Sequence, residues 1–124
     1  MVYFLLVAAG GAFGAMARHG VDRVVFAHLD STLVGTAIVN VSGSFVLGLL
    51  AGVLGSRPDW PDEVRMLTAV GFLGSYTTFS TFSLATVRLL EEGNVSGAAA
   101  NLSASVVLGL AAAFGGLAVG RAVT

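Results

Sequence analysis

Gly71-Phe-Leu-Gly-Ser-Tyr-Thr-Thr-Phe-Ser-Thr-Phe-Ser83 lies within an apolar stretch covering residues 64–87. Seven of its thirteen side chains carry a hydroxyl where a plain membrane helix would have Leu and Val. An unpaired polar group in hydrocarbon is costly, so these hydroxyls must face protein or a passage. Phe79 and Phe82 are three positions apart and fall on one helical face. Such a pair is ordinary core packing in most helices. Set among Thr77, Thr78, Ser80, Thr81 and Ser83, it gains a second reading. A phenyl ring is positive at its edge and can meet an anion without a formal charge. Several weak contacts also let a small anion leave, whereas a fixed cation would retain it. The stretch reads as a pore of weak donors and aromatic edges, with no acid–base catalyst in it.

The rest of the chain fits a membrane setting. Of its 124 residues 56% are hydrophobic and 10% charged, with a mean hydropathy of +0.90; soluble domains carry about 25% charged residues. Cysteine is absent, which removes disulfide scaffolds, thiolate metal sites and cysteine nucleophiles. A net charge of −1 offers no basic patch for nucleic acid. Four apolar stretches cover residues 1–17, 33–54, 64–87 and 95–119. Each is near the roughly 20 residues that span a bilayer as a helix. The expectation is a single four-helix transmembrane domain over residues 1–124, multi-pass in the cell membrane.

The first stretch lacks a positive leading segment, and Arg18 directly follows the cleavage-like Ala15-Met16-Ala17. It reads as a retained helix and not as a signal peptide. Residues 18–32 read as a connection, residues 55–63 as a turn with Trp60 at the membrane interface, and Glu91-Glu92-Gly93-Asn94 as the end of the third helix and the cap of the fourth. With four spans, Arg18, Arg23 and Arg88 lie on one side, and Arg57, Arg65 and Arg121 on the other. Three arginines against three give the positive-inside rule no preference. The balance predicts dual topology, with opposed copies pairing about an axis in the membrane plane.

In the second stretch Thr36, Asn40 and Ser44 succeed one another at one-turn spacing and form a polar stripe. The Asn40 amide serves equally as helix–helix glue or as a donor to an anion. Gly71 and Gly74, before the hydroxyl cluster, mark either close packing or an interrupted helix. Carbonyls freed by an interruption can hold a hard cation such as Na⁺. Asn101 and Ser105 stand at i, i+4 in the fourth stretch. His19 and His28 lack metal-ligand spacing. No Ser/His/Asp set, phosphate loop or paired carboxylates appear.

These residues together resemble the CrcB/Fluc fluoride ion channels over nearly the full length. Gly10-Gly-Ala-Phe-Gly-Ala-Met-Ala-Arg18 is similar to the family's first-helix motif, Gly35-Thr36 through Asn40-Val-Ser-Gly43-Ser-Phe to the second, and residues 71–83 to the third. The resemblance implies a passive fluoride channel that protects the cytoplasm, built as an antiparallel homodimer with two pores and a Na⁺ ion at its centre. It implies that Asn40 is the pore amide and that Phe79 and Phe82 are the pore rings. Gly74 and Thr77 would lend backbone carbonyls to Na⁺, and Arg18 would be the arginine ending the first helix. Ser80, Thr81, Asn101 and Ser105 would continue the polar route with Thr36. The chain departs from the family pattern at Ala85, where a glutamate is frequent, and at Asn101, where an aromatic is frequent; both bear on vestibule electrostatics and conduction rate.

Two other functions fit the size. A small dual-topology drug/proton antiporter needs a membrane-embedded carboxylate, and residues 1–17 contain none. A non-conducting partner subunit of a heterodimeric channel would not need two phenyl rings among so many hydroxyls.

Overall fold

A computed structural model describes residues 1–124, all helical apart from short turns. The helices are α1 (Val2–Leu29), α2 (Thr32–Gly55), α3 (Asp62–Arg65), α4 (Gly74–Tyr76), α5 (Phe79–Glu91) and α6 (Val95–Ala122); a π-helical segment, Met66–Leu73, joins α3 to α4. The third span is thus a composite of α3, the π-helical segment, α4 and α5. Helices α1, α2 and α6 are each long and apolar enough to cross a membrane.

The first helix does not stop at Arg18, as the hydropathy boundary implied. It runs on through residues 18–29, which hydropathy alone reads as a connection, and ends where Asp30 turns left-handed at φ 48°. Charge marks the edge of the hydrocarbon, but the helical hydrogen bonds continue into the polar zone until a residue adopts another conformation. Arg18 is therefore a half-buried residue inside α1 and not its terminus. The other boundaries follow the local chemistry. The Ser31 hydroxyl accepts from the Val34 N–H and starts α2. Gly93, at φ 76°, breaks the chain after α5, and Asn94 Oδ1 accepts from the Gly97 N–H at 2.9 Å to cap α6.

Two helix pairs make most of the contacts: α2 on α6, and α1 on the π-helical segment. Both rest on glycine. A Cβ at Gly48 would strike the Ala113 carbonyl, and one at Gly116 the Phe45 carbonyl. Across the other pair, a Cβ at Gly10 or Gly14 would strike the carbonyl of Leu67 or Phe72. Backbone against backbone is how helices associate where lipid removes the hydrophobic drive. Few large side chains are consequently buried; Val39 is fully so. Phe4, Phe13, Leu110 and Phe114 point outward, an arrangement suited to a solvent of acyl chains. Buried side-chain nitrogen and oxygen atoms all have partners.

Candidate functional site

The site is built around a break in the third span. The chain leaves α4 after Tyr76, passes through Thr77 (φ −84°, ψ 157°) and Thr78 (φ −149°, ψ 112°), both extended, and re-enters a helix at Phe79. Threonine suits this place, because its branched Cβ favours extended backbone and its hydroxyl can cap a helix. The interruption expected around Gly74 to Thr77 therefore falls at the end of that range, at Thr77 and Thr78. Gly74 itself is right-handed helical at φ −61°. A Cβ there would have open space, its nearest neighbour being the Ala69 carbonyl at 4.0 Å. Gly74 is not needed for unusual backbone freedom.

Two side chains hold the break open. Asn40 Oδ1 accepts from the Thr78 N–H at 2.8 Å, and Asn40 Nδ2 donates to the Thr78 carbonyl at 3.0 Å. Thr78 Oγ1 in turn accepts from the Thr81 N–H at 3.2 Å. In a continuous helix the Thr78 N–H would bond the Gly74 carbonyl, and the Thr81 N–H the Thr77 carbonyl. Both donors are diverted, so both of those carbonyls are released from the helical ladder.

Beside the break lies a partly open cleft of about 360 Å³. It gathers Asn40, Gly74, Thr77, Phe79, Phe82 and Ser105 from the candidates, and adds Ser44, Leu73 and Thr78. The lining contains no ionisable side chain. The two rings sit with centroids 5.9 Å apart and planes tilted by 53°. Phe82 is 9% exposed, whereas Phe79 is 79% exposed and projects from the chain.

Most hydroxyls around the cleft already donate within the chain. Ser44 bonds the Asn40 carbonyl at 2.6 Å, Thr77 the Leu73 carbonyl at 3.0 Å, and Thr78 the Thr81 hydroxyl at 3.1 Å. What remains is the second N–H of Asn40 and the Ser105 hydroxyl, which has no partner in the chain. The N-terminus of α5, at Phe79, adds its partial positive charge. A neutral cleft with a few free donors, two phenyl rings and a helix N-terminus is suited to a small anion held briefly.

Four pore candidates lie outside the cleft. Thr36 is buried, and its hydroxyl donates to the Thr32 carbonyl at 3.0 Å. Ser80 and Thr81 are exposed near the cap, the former 3.3 Å from the Thr78 hydroxyl. Asn101 lies one turn from Ser105 and donates to Thr86 Oγ1 at 3.0 Å. Sequence reasoning missed Thr86; its only signal was the one-turn spacing from Phe82.

A family model described as CrcB-like protein, Camphor Resistance (CrcB), matches residues 5–117. A protein of Magnetococcus marinus named fluoride-specific ion channel FluC is 46% identical over 116 residues, covering 93% of this chain and 94% of its own. One of Hyphomonas neptunium with the same name is 45% identical, covering 95% of this chain and 94% of its own. Fluoride-specific ion channel FluC 1 of Nitrobacter hamburgensis is 42% identical, covering 96% and 95%.

Proposed function

The chain belongs to the CrcB family, and from that premise we propose that it is a fluoride-selective channel in the cell membrane, letting the anion leave the cytoplasm passively. The observation that carries this reading is the cleft: Phe79, Phe82, the Asn40 amide and the free Ser105 hydroxyl meet around space that no charged side chain lines. A fluoride ion losing water there gains N–H, O–H and ring-edge contacts in its place, each weak enough to break.

The working unit is an antiparallel homodimer of dual topology. The arginine balance supports it, as does a cleft left open on one protomer with Phe79 projecting from it. A second copy packed on this face closes each cleft and gives Phe79 a wall.

Na⁺ fits the break. The carbonyls of Gly74 and Thr77 have lost their helical donors, and oxygen-only ligation without carboxylates suits a hard monovalent cation. These two residues from each copy would hold it, and it would supply a fixed positive centre that ties the copies together.

Expression in a bacterium lacking fluoride export is the test in cells. Growth in fluoride medium is restored if the reading holds. Continued sensitivity, with the protein verified in the membrane, overturns it.

A further inference from the structure

Asn101 is half-buried on α6, one turn from the cleft hydroxyl of Ser105, and its amide is bound by one side chain, that of Thr86 on α5. Thr86 Oγ1 donates to the Phe82 carbonyl at 3.0 Å and accepts from Asn101 Nδ2 at 3.0 Å. The relay runs from Asn101 through Thr86 to Phe82. It ends on the backbone of a residue whose ring lines the cleft. Asn101 keeps one N–H without a partner in the chain.

We propose that Thr86 is a positioning residue of the anion route, holding the Asn101 amide so that its free N–H forms a second neutral donor station beyond Ser105. The proposal rests on the channel reading above and extends it. An anion leaving the rings of Phe79 and Phe82 would pass from the Ser105 hydroxyl to the Asn101 amide, one helical turn along α6. Successive weak sites of this kind allow entry without trapping. Valine in place of Thr86 has nearly the same shape but neither accepts nor donates. The Asn101 amide is then free to turn its oxygen toward the route and repel the ion.

The test measures fluoride efflux from liposomes holding the full chain, as wild type, Thr86→Val, Thr86→Ser, Asn101→Leu and the Thr86→Val/Asn101→Leu double variant. Losing the orienting bond is expected to slow efflux about tenfold in Thr86→Val, and Thr86→Ser returns it to near the wild-type rate. The double variant is no slower than Asn101→Leu alone, because both changes act through one amide. Wild-type efflux in Thr86→Val, or effects that multiply in the double variant, overturn the positioning role. If Thr86→Val does not fold, Asn101→Leu still decides, since unchanged efflux there removes the station. Wild-type protein that passes no fluoride overturns the channel reading itself, a result distinct from a silent Thr86→Val.

Discussion

Asn40 and Thr78, 38 positions apart, are joined by two hydrogen bonds in which the side-chain amide of one pairs with the backbone N–H and C=O of the other. The pairing gives one residue two tasks. It satisfies backbone groups that a break at membrane depth would otherwise leave bare, and it leaves one amide N–H available beside the phenyl rings. Helix–helix glue and anion donor were alternatives on the sequence; the geometry lets a single amide serve both.

Asn40→Asp should abolish fluoride flux more completely than Asn40→Ser. An aspartate can still accept from the Thr78 N–H, but it sets an acceptor against the Thr78 carbonyl and brings negative charge to the cleft. Efflux assays combined with thermal unfolding of the purified variants check this. Normal transport by the Asp variant would contradict the assignment.

The two phenylalanines should separate by stability. Phe79→Ile and Phe82→Ile both remove the ring and should both depress flux. Only Phe82 is buried within the protomer, so its replacement should also destabilise the fold, by about 1 kcal/mol for an altered core shape. Equal stability losses in the two variants would show that Phe79 is covered as fully as Phe82.

Gly116→Ala should prevent folding or cost about 1–3 kcal/mol, the scale of overpacking. The new methyl would strike the Phe45 carbonyl, which is backbone and cannot swing aside. Gly115→Ala meets nothing within 4 Å and should be tolerated. Expression level and thermal midpoint of the pair are the measurement. Equal behaviour would argue against the close α2–α6 contact.

Gly74→Val should leave the chain folded, because its Cβ points into open space, yet weaken the proposed pairing of two copies. Thr77→Ser removes a methyl packed against Gly43 but keeps the backbone carbonyl, so it should retain more dimer. With Na⁺ held as proposed, replacing it by a large organic cation should weaken the proposed dimer as well. Size-exclusion profiles in detergent decide. A Gly74→Val dimer as stable as the wild type would remove Gly74 from the interface.

The helical fold, the three membrane-length apolar helices and the cap at Asn94 were legible in the sequence, because hydropathy and capping chemistry report them; that Asn40, Phe79, Phe82 and Ser105 gather at one cleft was an implication of the family resemblance. Three features were not. The extension of α1 to Leu29 was hidden because hydropathy locates the membrane and not the last helical hydrogen bond. The break lies at the end of the expected Gly74 to Thr77 range, at Thr77 and Thr78, and its exact place was not legible because Asn40 takes the Thr78 N–H out of the ladder from a distant helix. The π-helical turn has no local signature; it lies where glycines of α1 bring the two backbones together. Thr86 escaped for the same reason as the break, since its partner Asn101 is on another helix.

Fluoride and chloride efflux, measured side by side from liposomes containing the purified wild-type chain, test the central claim most directly. The account predicts rapid fluoride release with chloride retained, and loss of the fluoride signal in Phe82→Ile protein that still forms dimers. Equal release of the two anions, or no release of either from correctly assembled protein, would contradict it.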